Sequence, residues 1–291
     1  PNVEGISFAM TPNGNFLIYA TSHHALHIYD VDRDETGDIF QAHDDKITCI
    51  TTLPDNDSFL TGSADKSIRK WSISKGTMVS KITGFGQIPI REIAAMPDGS
   101  GFFIAGEENK LHFWDFKQEK VTGTIHNVSD TQRIRISPDG RYLLAGKEKL
   151  QLFDIMFEGS KWLADIPLNG PCKAQFFSDS RYFIVVEEGL DNCEYSLWDI
   201  KDNKPTLKWK GAGAESMGLF RDDKFLVVGN TGSPTLTVWN LTYKHSMLKP
   251  DFIFDLKAPI ERMALSNVSD NVAVKFVGDK SIYVSNLNLD Y

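Results

Sequence analysis

The chain has 291 residues, 41% hydrophobic and 24% charged, a balance that is ordinary for a folded globular protein. Its net charge of −8 and pI of about 5.4 argue against a general binder of nucleic acid or of anionic membranes, because both need a basic protein face. No apolar run approaches the length of about 18 residues that a membrane-spanning helix needs. The three cysteines, Cys49, Cys172 and Cys193, are far apart and odd in number, which favours a reducing compartment, cytoplasm or nucleus, over a disulfide framework.

A turn signal built on Pro, Asp or Asn, and Gly recurs along the chain. Its clear copies are Pro12–Gly14, Pro54–Asn56, Pro97–Gly99 and Pro138–Gly140, and its weaker copies are Ser178–Ser180, Arg221–Asp223 and Asn267–Asp270. An aromatic residue followed by a polar one recurs in step, at Tyr29, Trp71, Trp114, Phe153, Trp198 and Trp239, and the seventh copy has decayed to Ser285-Asn286. Both signals repeat about every 40 residues, the length of one four-stranded propeller blade.

Each unit reads as four strands, A to D, with the turn signal between A and B and the aromatic residue at the end of C. The B strands are continuous apolar runs such as Phe102–Ala105 and Tyr182–Val186, and D strands are expected at Thr77–Thr83 and Thr206–Lys210. No stretch keeps a period of 3.6 residues, so helices should be nearly absent. We predict an all-β, single-domain, seven-bladed β-propeller of four-stranded antiparallel blades. The approximate blades are 1–42, 43–84, 85–126, 127–168, 169–211, 212–256 and 257–291.

The second unit holds His43, Thr61, Asp65 and Trp71. With the repeated turns, these residues resemble the WD40-repeat family of β-propellers over essentially the whole chain. The resemblance implies that the four side chains form a hydrogen-bonded structural tetrad, and only this unit has all four. His43, Asp65 and Thr61 could also be misread as a nucleophilic triad. The structural interpretation is favoured, because each residue falls at a structural position of the family.

The seventh blade is short of sequence, since only six residues follow Ser285. We therefore expect this blade to be incomplete or to be closed by a terminal segment. The chain begins at Pro1 instead of Met, and we expect it to be a fragment of a larger protein.

Catalytic and metal-binding constellations are weak. His23, His24 and His27 form a small cluster, but no carboxylate or cysteine accompanies them at the spacing of metal ligands. The sequence therefore predicts no enzyme, no metal and no cofactor. A propeller-based hydrolase remains an alternative, and Glu92 and Glu261 are its only candidate groups.

The resemblance also implies that the B–C and D–A loops share one face, the top face. Two sets of charged residues are expected there: an acidic arc and a basic ring. The acidic arc is Glu107, Glu108, Glu148, Glu187, Glu188 and Asp191, and the basic ring is Arg91, Arg133, Lys173 and Arg262, with Arg135 one step deeper. Either set could bind an oppositely charged peptide. The alternative is that the arc and the ring pair with each other in a solvated network.

The function predicted from these features is a non-catalytic protein–protein interaction scaffold of a multiprotein complex, binding a peptide or protein on its top face or rim. Two other segments carry alternatives. The insertion Leu241–Asp251 could form an interface or fold back on its own blade. Phe102–Lys117 resembles the box by which some WD40 proteins dock to cullin-type ubiquitin ligases, which would make the chain a substrate receptor.

Overall fold

The structure is a computed structural model, and it describes residues 7–21, 24–37, 40–83, 85, 88–106, 109–129, 131–156, 160–189, 192–211, 213, 216–230, 233–242, 250–265, 271–276 and 282–286. The chain forms two compact units, Pro1–Ile166 and Pro167–Tyr291. All regular elements of the described residues are strands, 28 in number, which confirms the all-β prediction. The single-domain organisation stays a prediction.

The first unit contains four antiparallel sheets, which we number as blades 1 to 4. Blade 1 has β1 Phe8–Met10, β2 Phe16–Ala20, β3 Ala25–Asp30, β4 Glu35–Thr36 and β5 Phe40–Gln41, with β4 and β5 both paired to β3. Blade 2 has β6 Ile47–Thr52, β7 Ser58–Ser63, β8 Ile68–Ser72 and β9 Thr77–Ile82. Blade 3 has β10 Glu92–Ala95, β11 Gly101–Ala105, β12 Lys110–Asp115 and β13 Lys120–His126. Blade 4 has β14 Ile134–Ile136, β15 Tyr142–Ala145, β16 Leu150–Asp154 and β17 Lys161–Ile166.

The second unit contains blades 5 to 7. Blade 5 has β18 Cys172–Phe176, β19 Tyr182–Glu187, β20 Cys193–Asp199 and β21 Lys204–Gly211. Blade 6 has β22 Ser216–Phe220, β23 Phe225–Gly229, β24 Thr235–Asn240 and β25 Phe252–Asp255. Blade 7 has β26 Ile260–Leu265, β27 Asn271–Phe276 and β28 Ile282–Asn286. The seven-bladed architecture and the incomplete last blade are both confirmed, since blade 7 has three strands among the described residues.

The turn signal closes the hairpin between the first two strands of a blade, and its third residue has a positive φ. This is true of Gly14, Asn56, Gly99, Gly140, Ser180 and Asp223, whose φ values lie between 55° and 77°. Gly and Asn adopt this conformation at low cost, which explains the clear copies of the signal. Ser180 forms the same backbone turn without the favoured residue, since its N–H bonds the Phe177 carbonyl as that of Gly140 bonds Ser137. The copy at Arg221–Asp223 is a different turn, because all three residues have positive φ.

The hydrophobic core is divided into clusters, each built by two consecutive blades. In the second strand of each blade, neighbouring residues point to opposite faces of the sheet, so they pack in different clusters. In β7, Phe59 packs in a cluster with Ile18 of blade 1, whereas Leu60 packs in a cluster with Phe102 of blade 3. In blade 3, Phe103 in turn joins Leu143 of blade 4. Burial on both faces explains why these strands are continuous apolar runs.

Candidate functional site: a polar clip in blade 2 and charged strand ends

The four tetrad residues of blade 2 form one chain of hydrogen bonds, which runs from Trp71 through Thr61 and His43 to Asp65. Trp71 Nε1 donates to Thr61 Oγ1 at 2.9 Å, Thr61 Oγ1 lies 2.7 Å from His43 Nε2, and His43 Nδ1 lies 2.9 Å from Asp65 Oδ2. Asp65 also accepts from Ser67 Oγ and from the backbone N–H of Asp44. We call this network the polar clip. It joins the loop before β6 to β7, to the following turn and to β8.

The three hydrogen bonds that link the tetrad residues all donate in the same direction, from Trp71 towards Asp65. An indole N–H can only donate, so the Thr61 hydroxyl accepts from Trp71 and its own proton is free for His43 Nε2. His43 is then the neutral tautomer that donates from Nδ1 to Asp65. Burial lowers the pKa of His43, against the opposing effect of Asp65. Burial raises the pKa of Asp65, but hydrogen bonds from Ser67 and His43 outweigh this and hold it well below its ordinary value.

This geometry gives His43 no free nitrogen for catalysis, because both ring atoms are engaged and the side chain is 1% exposed. The Thr61 hydroxyl is completely buried and accepts from Trp71, so no substrate atom could reach it. The arrangement can therefore stabilise the blade, and it has no access for nucleophilic chemistry.

In two later blades the tryptophan N–H does not bond to a residue at the Thr61 position. Sequence reasoning missed both cases. In blade 5, Trp198 Nε1 donates to Ser196 Oγ of its own strand at 2.8 Å. In blade 6, Trp239 Nε1 is buried and has no hydrogen-bond partner in the described part of the chain. The strand register explains the difference: Thr61 lies two residues after the strand partner of Trp71, and the same position relative to Trp239 is Val228. An aromatic group of Trp239, Tyr195 and Trp209 packs there.

In the first unit, the predicted charged residues lie at the beginnings of inner strands. Arg91 immediately precedes β10 and is exposed, and Arg133 immediately precedes β14 and is half-buried. Between them, Arg135 donates to Glu92 at 2.6 Å, an ion pair that joins blade 4 to blade 3. Neither Arg91 nor Arg133 forms a salt bridge with a residue that the structure describes.

Of the three predicted acidic residues of the first unit, the structure describes only Glu148. Glu148 is exposed in the turn before β16. Glu107 and Glu108 lie outside the described residues. The Glu92 carboxylate that the hydrolase alternative requires is already paired with Arg135, and the side chain of Glu261 lies outside the described part of the chain.

In the second unit, residues of the basic ring and of the acidic arc pair with each other. Lys173 of β18 donates to Glu188 at 2.8 Å, and Glu187 accepts the backbone N–H of Asn169 at 2.8 Å. This is one pair between the ring and the arc, and its Lys173 side chain is only 18% exposed. The role of the arc and the ring in binding stays a prediction. Asp191 and the side chain of Arg262 lie outside the described residues.

The other candidate groups give no catalytic or metal site in the described residues. No group of three or more His, Cys, Asp or Glu side chains is placed to hold a metal ion there. His27 lies in β3 and stacks on Tyr19 at 4.7 Å between ring centroids, and His23 lies outside the described residues. Burial raises the pKa of the Cys49 thiol to about 12, so it is not a thiolate nucleophile at neutral pH. Among the described residues no helix is long and apolar enough to cross a membrane.

The two segments with alternative roles are placed as follows. Phe102–Lys117 runs through β11 and β12, with Phe102 buried, Trp114 packed edge-on against Phe85 and Lys117 exposed. Its interpretation as a ligase docking box stays a prediction. Most of the insertion Leu241–Asp251, residues 243–249, lies outside the described residues.

Comparison with known proteins gives one family match and several partial relatives. The family described as "WD domain, G-beta repeat" matches residues 35–72, the segment that holds the polar clip. The chain is 24% identical over 212 residues to the WD repeat-containing protein 26 homolog of Arabidopsis thaliana, covering 68% of this chain and 34% of that protein. It is 27% identical over 99 residues to Cilia- and flagella-associated protein 52 of Macaca fascicularis, covering 33% of this chain and 17% of that protein. The chain thus spans about a third or less of these two relatives.

A solved structure supports the fold over the full length. A chain of Kuenenia stuttgartiensis hydrazine synthase superimposes with a TM-score of 0.80, covering 100% of this chain and 97% of that chain. At 14% identity this likeness shows the fold alone. The family match in blade 2, the partial WD-repeat relatives and the seven blades together make the chain similar to the WD40-repeat β-propellers.

Proposed function

We propose that the chain is a non-catalytic scaffold for protein–protein interaction in a multiprotein complex of the cytoplasm or nucleus. Similarity to the WD40-repeat propellers supports this proposal, since the rigid blades of that family carry variable loops that bind other proteins. The three cysteines are free and buried, which is consistent with a reducing compartment.

We propose further that a partner binds at the beginnings of the inner strands in the first unit. The observation that carries this is the contrast between Arg135, which is paired with Glu92, and its neighbours Arg91 and Arg133, which pair with no described carboxylate. The Arg135–Glu92 ion pair joins β10 and β14, the two strands that directly follow these arginines. Two arginines at the beginnings of neighbouring inner strands provide charge complementarity for an acidic segment of a partner. Such complementarity sets specificity and the association rate.

The test compares co-purification with the full chain as bait. The variant Arg91→Glu/Arg133→Glu is expected to recover the main partner at least tenfold less than the wild type. The control Arg33→Glu/Lys75→Glu makes the same change of net charge at two exposed residues of other turns and is expected to retain the partner. The recovered partner is then purified and its affinity for the three proteins is measured directly. Equal loss in the control, or full retention by Arg91→Glu/Arg133→Glu, would refute this site.

A further inference from the structure

The outermost strand of blade 5 has an unusual combination of length and charge. β21, Lys204–Gly211, has eight residues and is the longest strand of the structure. It is the terminal strand of the sheet β18-β19-β20-β21, so no described strand pairs with its outer edge. Apart from Pro205, which has no backbone N–H, the residues of such an edge present N–H and C=O groups that another extended segment can bind.

From Leu207 to Lys210, the two faces of β21 have opposite character. Leu207 and Trp209 pack into the core cluster of blades 5 and 6, and the Trp209 ring stacks on Tyr195 at 5.4 Å between centroids. On the other face, Lys208 and Lys210 are exposed. The strand has a β-bulge at Thr206, where the pairing register shifts between Leu197 and Trp198, so the exposed Lys204 lies on the same face as Leu207. We call the three exposed lysines the lysine edge. The buried side chains of Leu207 and Trp209 anchor the strand.

Protection against aggregation does not account for the lysine edge. Lysine on edge strands commonly prevents unwanted pairing. If that were its role here, the other outer strands should carry several lysines as well. No other outer strand of the described residues carries more than one lysine, and β9 and β25 expose Met78, Val79, Ile253 and Phe254 instead. The lysines are concentrated on one edge of a chain whose net charge is −8.

The charges of the lysine edge are largely available. Lys208 donates to Glu194 of β20 at 2.6 Å, but both side chains are about half exposed, at 55% and 41%. A pair this exposed contributes little and can be exchanged for another carboxylate. Lys204 and Lys210 form no salt bridge with any residue in the described part of the chain.

We propose that the edge of β21 binds an extended acidic protein segment, which adds to blade 5 as a fifth strand. Acidic side chains two residues apart in the segment would lie beside Lys208 and Lys210 on one face, and Lys204, beyond the bulge, offers a further cation on the other face. Main-chain hydrogen bonds along the edge supply affinity, and the alternation of carboxylates beside Lys208 and Lys210 supplies specificity. This surface is distinct from the arginines of the proposed function, and its test is independent of them.

A protein segment fits this surface better than a nucleic acid or a membrane. Lys204 and Lys210 are six residues apart, about 20 Å along a strand. Three ammonium groups over that length are a small footprint for a polyphosphate surface, which binds through many cations. Phosphates also leave the backbone groups of the strand edge unused.

The test uses a defined probe, a fluorescein-labelled peptide of five Glu-Val repeats, and measures its binding to the full chain by fluorescence anisotropy. A peptide of the same composition in two blocks, five Glu then five Val, tests the alternation. The variant Lys204→Glu/Lys208→Glu/Lys210→Glu is compared with Lys81→Glu/Lys117→Glu/Lys120→Glu, three exposed lysines of blades 2 and 3 with the same change in charge. A Lys→Gln version of each variant reduces any effect of reversed charge on folding.

The proposal expects the alternating peptide to bind, with affinity at least tenfold weaker in the β21 variants and within twofold of wild type in the controls. Amide hydrogen exchange of 204–211 should slow when the peptide is bound. Equal binding of the block peptide, equal loss in the controls, or unchanged exchange in β21 would overturn the proposal. Tighter binding of a DNA duplex or of phosphatidylserine vesicles that depends on the same lysines would also overturn it, in favour of a polyanion site.

Discussion

The polar clip of blade 2 and its apolar counterpart in blade 6 make a paired test of what holds a blade together. Thr61→Val preserves the side-chain shape but removes the acceptor of the Trp71 N–H at 2.9 Å and the donor to His43 Nε2 at 2.7 Å. Both orphaned groups are buried, and each costs about 1–3 kcal/mol when unsatisfied. We therefore expect Thr61→Val to lower the free energy of unfolding by about 2–6 kcal/mol.

The reciprocal change, Val228→Thr, places a hydroxyl at the equivalent position of blade 6. There the Trp239 N–H is buried and has no partner among the described residues, so a hydroxyl would supply its acceptor. Val→Thr in a core is normally destabilising because it buries a hydroxyl. Here we expect no loss, with a gain of up to about 1 kcal/mol.

Urea unfolding at pH 7, followed by tryptophan fluorescence, measures both changes in one assay. A matched pair in blade 2 isolates the bond: Trp71→Phe should cost much less in the Thr61→Val background than in the wild type, because the bond is already absent. A cost below about 0.5 kcal/mol for Thr61→Val, or above about 1 kcal/mol for Val228→Thr, would refute the reasoning that indole pairing distinguishes the two blades.

Three other predictions follow from described contacts. Burial holds the pKa of His43 below its ordinary value of 6.5, so on acidification from about pH 7 to 5 the unfolded chain takes up a proton that the folded chain does not. Stability should fall over that range by at most about 1.4 kcal/mol per pH unit from this group, and urea titrations of His43→Gln should show a shallower fall. Gly229→Ala would put a methyl group 2.8 Å from Ile260 Cδ1, and thermal unfolding should show a loss of about 1–3 kcal/mol; an unchanged midpoint would contradict the tight packing. Ser196→Ala orphans the Trp198 N–H and should cost about 1–2 kcal/mol by urea unfolding, whereas Ser196→Thr, which keeps the hydroxyl, should cost less.

The repeat made the blades predictable, because turn residues and continuous apolar runs can be recognised from residues that are neighbours in the sequence. Pro97–Gly99 predicted a hairpin and Phe102–Ala105 predicted a strand; both are found, and the structure buries that strand on both faces. The incomplete seventh blade followed from counting the residues after Ser285. These features depend on neighbours in the sequence, so a single sequence contains them.

The pairing of charged groups was not predictable in the same way. Lys173 with Glu188 and Arg135 with Glu92 lie 15 and 43 residues apart, and their meeting depends on side-chain geometry at the ends of strands. The lysines of β21 were visible as a D-strand pattern, but their significance depends on the position of that strand at a sheet edge. The unpartnered Trp239 indole similarly becomes visible only when the register of β23 and β24 is known.

The polar clip and the apolar clusters differ in how many side-chain combinations they accept. A directional network requires particular atoms at each position, so few substitutions preserve it. Apolar clusters such as that of Trp239 and Tyr195 have many acceptable solutions of similar volume. The segment that matches the family, residues 35–72, is the one that holds the directional network, while a protein of 14% identity shares the fold over the whole chain. A propeller blade can therefore be built from very different sequences where packing alone holds it together.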